Sequence, residues 1–244
     1  MKKTVLVTGA AGGIGSGICR RLLADGYAVA ATDINAAGLD ALEAALGEGL
    51  SIYPADQTDE AAMAALVHAV EGELGPVEGL VNVTGWTHAT RFETETSDYW
   101  AKVMAINFTS LLYVAQPVLK SMIARKSGRM VFIASDAGRV GTATEAVYAG
   151  AKGAVLAFAK SLARENARHN INVNCVAPGP TETPLFAEEM KDNPEIVTRM
   201  LKAIPFRRAA TPADQAAVVS FLLSDDASYM TGQTLSVSGG LTMI

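Results

Sequence analysis

Short apolar runs alternate along this chain with longer stretches in which apolar positions recur at helical spacing. Thr4–Thr8, Ala28–Thr32, Ser51–Tyr53, Gly79–Asn82, Arg129–Ala134, Asn172–Val176 and Thr234–Val237 read as seven strands, bounded by turn residues. Helical patterns occupy 14–25, 36–47, 59–74, 98–125, 147–169 and 212–223. Strands that are apolar throughout are covered on both faces, which predicts a parallel sheet between two helical layers. The expected class is α/β, one doubly wound domain spanning 1–244. One segment breaks the rhythm. From Pro178 to about Thr211 the chain carries Pro178, Pro180, Pro184, Pro194 and Pro205 among mixed charges, with a short helix expected at 185–202. So long an excursion, at about 180–210, is expected to cover a substrate.

Composition narrows the class further. The chain has 244 residues, half of them hydrophobic, enough for a core without disulfide or metal staples. A net charge of −5 and a pI near 5.3 point away from nucleic acid and anionic membrane surfaces. No apolar stretch approaches the ~20 residues of a membrane span. The run from Met1 to Gly9 is too short for a secretory signal, so a cytoplasmic protein is expected. Cys19 lies in a helical pattern and Cys175 in an apolar run, so both are expected as buried thiols. His68, His88 and His169 are scattered, and no metal site is expected. The positive mean hydropathy, +0.22, hints at a face buried between copies.

The first strand runs into Thr8-Gly9-Ala10-Ala11-Gly12-Gly13-Ile14-Gly15, and a helix follows. Glycines there permit a tight turn and close backbone approach to a pyrophosphate, and the helix N-terminus favours the anion. This is the Rossmann-type arrangement for a dinucleotide. Asp33 follows the second strand, eighteen residues beyond Gly15. A carboxylate there accepts from the adenosine ribose hydroxyls of NAD and repels the 2′-phosphate of NADP. Ile34 and Asn35 follow without a cation, so NAD is the expected cofactor. Asp33 or Asn35 can equally cap the next helix. Asp56 could meet the adenine amino group or simply close its own turn, while Asp59 is expected to cap the following helix.

Ser135 ends the fifth strand, at the carboxyl edge where open α/β sheets hold their ligands. Tyr148 stands thirteen residues on, and Lys152 one helical turn later on the same face. A neighbouring ammonium, with the positive charge of a bound nicotinamide, favours phenolate, so Tyr148 could exchange a proton with a substrate oxygen while Ser135 holds that oxygen.

Thr8, Gly9, Gly13 and Gly15, with Ser135 and Tyr148-x-x-x-Lys152, identify the chain as resembling the short-chain dehydrogenases/reductases, over essentially its whole length. The resemblance implies NAD-dependent interconversion of a secondary alcohol and a ketone. It also implies a fourth catalytic residue, Asn107, holding a water that links Lys152 to a proton relay. Pro178-Gly179 matches the family's Pro-Gly after the sixth strand, which puts Thr181 and Thr183 against the nicotinamide carboxamide and phosphates. Family members are mostly homotetramers, which implies pairing through helices 98–125 and 147–169. The usual Asn-Asn-Ala-Gly after the fourth strand is here Asn82-Val83-Thr84-Gly85, keeping the first Asn and the Gly.

Trp86, Arg139, Thr142, Phe186 and Met190 are the residues expected around the substrate, an apolar pocket with an aromatic wall. Ile133–Gly141, Glu145–Ala149 and Ser236–Met243 are similar to the family's dehydrogenases of cyclic hydroxyacyl-CoA esters. Two alternatives share the scaffold: a 3-oxoacyl-thioester reductase, and a dehydrogenase of free aryl or alicyclic alcohols.

Overall fold

The computed structural model describes residues 2–192 and 194–244. In chain order it contains β1 (Thr4–Thr8), α1 (Gly13–Ala24), β2 (Ala28–Asp33), α2 (Ala36–Leu46), β3 (Leu50–Pro54) and α3 (Glu60–Leu74). There follow β4 (Val77–Asn82), α4 (Ser97–Met104), α5 (Ser110–Arg125), β5 (Gly128–Ile133), α6 (Ala137–Val140) and α7 (Ala146–Asn166). The chain closes with β6 (Ile171–Pro178), α8 (Pro184–Asp192), α9 (Pro194–Ala203), α10 (Pro212–Leu223) and β7 (Thr234–Val237).

The seven strands form one sheet in the order β3-β2-β1-β4-β5-β6-β7, with every pairing parallel. Successive residues of a strand feed opposite layers. Leu6, Leu80, Met130, Phe132 and Val173 meet Val70, Val118, Val155 and Leu162 of α3, α5 and α7 on one face. Val5, Val7, Val81, Val131 and Val176 meet Ile18, Leu22, Leu39 and Val219 of α1, α2 and α10 on the other. Each such buried aliphatic side chain contributes roughly 1.5–3 kcal/mol. Cys19 and Cys175 are buried free thiols, and burial raises both their pKa values to about 12.

The strand order reverses direction between β1 and β4, and at such a switch point the carboxyl ends of the strands open a crevice. Two expectations change here. The helix expected over 98–125 is interrupted by a π-helical turn at Ala105–Thr109, which separates α4 from α5. The segment expected as a helix at 185–202 is helical over Pro184–Asp192 and Pro194–Ala203, with Asn193 outside the described residues. A turn of 3-10 helix, Phe92–Thr94, and the short α6 were not foreseen. Among the described residues no helix is long and apolar enough to cross a membrane.

Candidate active site

β1 delivers the chain into the crevice, where it turns at Gly9 with φ +61°. The other glycines of this turn are sites of close approach. A Cβ on Gly15 would stand 2.1 Å from the Gly9 carbonyl oxygen, and one on Gly13 would stand 2.7 Å from Thr183 Cγ2. α1 begins without a side-chain cap at Gly12 and without an acidic residue in its first turn. Its first-turn amides, Ile14 among them, are thus left for an anion. Asp33 Oδ2 accepts from the Ala11 amide at 3.0 Å, and Oδ1 accepts from Asn35 N at 3.0 Å. That pins the carboxylate beside the glycine turn, while Asn35 separately caps α2 through Gly38 N. Uncapped amides, bare glycines and a fixed carboxylate fit a dinucleotide.

A buried polar web supports the turn from below. Asn82 Oδ1 accepts from Thr8 Oγ1 at 3.0 Å and from Gln57 Nε2 at 2.5 Å. Thr84 Oγ1 donates to Gln57 Oε1 and lies 3.1 Å from Thr8 Oγ1. Thr84, the departure from the family's pattern, is therefore integrated into this web. Two residues expected at the cofactor, Asn82 and Asp56, have hydrogen-bond partners within the chain. Asn82 is buried with its oxygen already engaged, so it braces the turn. Asp56 folds back on its own loop, Oδ1 accepting from Thr58 N at 2.8 Å and Thr58 Oγ1 at 2.7 Å. Asp59 caps α3 as expected.

On the other side of the switch point, Ser135 leaves β5 and its Oγ accepts from Ala137 N at 3.1 Å. It also stands beside the Tyr148 hydroxyl, whose pKa it lowers. Tyr148 lies in the first turn of α7, and Lys152 one turn further is buried, with Nζ 5.8 Å from the Tyr148 ring centroid. Nζ donates to the Ile133 carbonyl at 3.0 Å. Burial pushes the Tyr148 phenol up to about 12, with Glu145 adding to the effect and Ser135 opposing it. Burial also pulls Lys152 down to about 8. The expected lowering of the phenol by Lys152 is not found, because the ammonium is turned to Ile133 and desolvation dominates. The phenol is held in its protonated form.

Asn107 sits in the π-turn, buried. Its Nδ2 donates to the Val103 carbonyl at 2.9 Å and to the Trp86 carbonyl at 2.7 Å, while Oδ1 accepts from Trp86 N at 3.1 Å. A Cβ on Gly85 would lie 3.1 Å from both Asn107 Oδ1 and Lys152 Nζ, so the bare backbone of Gly85 leaves room where the two meet. Trp86 faces Tyr99 at 5.8 Å between centroids, and Lys102 Nζ stands 4.0 Å over its ring.

After β6, Gly179 N donates to Val237 O at 3.1 Å, and Pro180 and Glu182 exchange backbone bonds with Ala210. Thr181 and Thr183 follow in this strap. Thr183 lies against Gly13, with its hydroxyl accepting from Phe186 N at the start of α8. Phe186 is partly buried, while Met190 and Thr142 are exposed. Arg139 does not meet the expectation of lining the pocket: its guanidinium donates to Ser236 Oγ at 2.7 Å and to the Ile244 carbonyl. Sequence reasoning passed over Gln57, Tyr99, Lys102 and Gln215. Gln215 alone left a trace, an amide directly before the mostly apolar run Ala216–Leu223 of α10.

Residues 9–242 match the family model described as enoyl-(acyl carrier protein) reductase. The chain belongs to the short-chain dehydrogenase/reductase family. It is 39% identical over 248 residues to an acetoacetyl-CoA reductase of Acinetobacter sp. (strain RA3849), covering 99% of this chain and 98% of that protein. It is 38% identical to the 3-oxoacyl-[acyl-carrier-protein] reductase MabA of Mycobacterium tuberculosis (strain ATCC 25618 / H37Rv), covering 100% and 94%. Among solved structures, a point variant of actinorhodin polyketide ketoreductase with NADPH superposes with a TM-score of 0.94 at 34% identity, covering 98% and 97%. The chain is an oxidoreductase of this family, and these relatives are named as ketoacyl or polyketide reductases rather than as dehydrogenases of cyclic thioesters.

Proposed function

We propose that the protein reduces a 3-oxoacyl thioester to the 3-hydroxyacyl thioester with NADH. The observation that carries the reading is Tyr148 in the first turn of α7, with Lys152 buried one turn on and Ser135 at the end of β5, beside a crevice that fits a dinucleotide. A phenol that burial pushes up is a proton donor at neutral pH, as reduction of a ketone requires. The full-length likeness to thioester reductases supports the substrate class.

When bound, the nicotinamide supplies hydride. Ser135 Oγ and the Tyr148 hydroxyl hold the substrate carbonyl oxygen, and Tyr148 gives that oxygen its proton as negative charge develops there. Lys152 supplies positive charge beneath the phenol, and Asn107 fixes the Gly85–Trp86 wall. Asp33 supports NADH over NADPH, because a carboxylate fixed by Ala11 and Asn35 repels a 2′-phosphate. The long helices α4–α5 and α7 are proposed to pair copies of the chain into a tetramer.

A second reading, reduction of a ring-bearing 3-oxoacyl thioester or oxidation of its alcohol, is favoured by the Trp86–Tyr99 wall. The experiment follows NADH and NADPH oxidation with acetoacetyl-CoA, 2-oxocyclohexanecarboxyl-CoA, crotonyl-CoA and cyclohexanone. NADH-linked turnover of acetoacetyl-CoA is expected. Turnover of the ring thioester alone would move the assignment to the second reading, and turnover of crotonyl-CoA alone would replace both by enoyl reduction.

A further inference from the structure

We propose that Gln215, in α10, is a positioning residue for the nicotinamide half of the cofactor, acting through Thr181. The inference rests on the dinucleotide part of the proposed function and not on the thioester.

Gln215 is fully buried in a helix whose other inward residues are almost all small or apolar. Its Nε2 donates to Thr181 Oγ1 at 3.1 Å and to the Val237 carbonyl at 3.0 Å. The second partner can only accept, which fixes the orientation of the amide. Thr181 Oγ1 passes its own proton to the Gly179 carbonyl at 2.9 Å, and Gly179 N returns to Val237 O at 3.1 Å. One buried amide thus closes a ring of hydrogen bonds around the base of the strap. Gln215 Oε1 has no hydrogen-bond partner among the described residues. A buried orphan acceptor costs roughly 1–3 kcal/mol, so a packing role alone would be better filled by Leu.

The sheet order says what the strap faces. Asp33, on β2, takes the adenosine end of a dinucleotide, and the glycine turn after β1 takes the pyrophosphate. The other half must extend across β4 toward β5 and β6, where Tyr148 and Ser135 stand. The strap Gly179–Thr183 runs from the end of β6 to Gly13, against which Thr183 is packed. It therefore flanks the nicotinamide half and leaves the adenosine half untouched. Thr181 is the strap residue that α10 grips by its side chain, so Gln215 sets the position of that wall.

The test separates the two halves of the ligand by titration calorimetry on the full chain with NADH and with ADP-ribose, which lacks the nicotinamide. Gln215→Leu is expected to raise the Kd for NADH about tenfold while the Kd for ADP-ribose stays within about twofold, the scale of one hydrogen bond. Thr181→Val should reproduce the selective loss without altering α10. The double variant should be no worse than either single one, because both remove the same contact. Equal weakening of both ligands, no weakening of NADH, or multiplying losses in the double variant would overturn the assignment. Wild-type protein that binds NADH but fails to reduce any thioester would remove the proposed reaction and leave this test intact. Wild-type protein that binds neither ligand would remove the cofactor reading and this inference together.

Discussion

Asn107 grips Trp86 as one strand grips another, its side-chain amide accepting from the Trp86 N–H at 3.1 Å and donating to the Trp86 carbonyl at 2.7 Å. The π-turn makes this possible. One extra residue at Ala105–Thr109 rotates Asn107 out of helical register and frees the Val103 carbonyl, which the same amide then satisfies. The π-turn and the Gly85–Trp86 segment are therefore one construction.

Replacing Asn107 with Ala should free the Gly85–Trp86 segment. The kcat/KM for the ketone is expected to fall by on the order of tenfold or more, the scale of two lost buried hydrogen bonds. Trp86 and Trp100 are the chain's two tryptophans, so a Trp100→Phe background isolates Trp86 emission. A red shift of that emission in the Asn107 variant would report the released ring. Unchanged emission and turnover would show that the clamp is dispensable.

The proton donor is tested by Tyr148→Phe. Loss of the hydroxyl removes general acid catalysis, and turnover should drop at least ~100-fold while NADH binding persists. Near-normal turnover would remove Tyr148 from the mechanism.

Lys152 gives a pH signature. Burial brings its ammonium down to about 8 from an ordinary 10.5. The kcat/KM for NADH, which reports groups of the free enzyme, should therefore decline as pH rises through about 8. Stability moves the other way for this group. Between about 8 and 10.5 the unfolded chain holds a proton that the folded one has shed, so unfolding free energy rises with pH there. The stability difference between wild type and Lys152→Met, followed by denaturant titration from pH 7 to 10, should shift in favour of wild type. A pH-independent difference would mean that the buried amine does not titrate in this range.

Much of this site was legible in the sequence because its parts are local. The glycine turn, Asp33 and the one-turn spacing of Tyr148 and Lys152 depend on strand-to-helix junctions that hydrophobic patterning fixes. What the pattern missed depends on three dimensions. Apolar periodicity continues across residues 98–125, so the π-turn left no mark. Arg139 reads as a pocket residue between Ser135 and Tyr148, yet Ser236 of β7 captures it. Thr8 and Asn82 are distant in the chain and meet only because β4 lies beside β1. The pKa of Tyr148 in the chain alone is hidden for a related reason: spacing shows that an ammonium is near, but only burial shows that desolvation outweighs it.

Cofactor choice is tested at Asp33. Asp33→Ala removes the repulsion of a 2′-phosphate, so the ratio of kcat/KM for NADH over NADPH should shrink. It also removes the acceptor for Ala11 N and Asn35 N, so both cofactors should lose some affinity. An unchanged ratio would mean that Asp33 serves the turn and not the choice of cofactor.

Two glycines of the same turn should respond differently to one added methyl group. At Gly15 the methyl would meet the Gly9 carbonyl at 2.1 Å and Ala10 Cα at 2.8 Å, both rigid backbone. Gly15→Ala is therefore expected to cost at least about 1–3 kcal/mol of stability, as overpacking of a close-packed site does. At Gly13 the nearest atoms are Thr183 Cγ2 at 2.7 Å and Cβ at 2.8 Å, on a strap that can shift. Gly13→Ala should leave the denaturation midpoint nearly unchanged and weaken NADH, because the strap moves off the crevice. Thermal unfolding and NADH titration on the two variants separate the cases. Equal stability losses would show that the strap is as rigid as the turn beneath it.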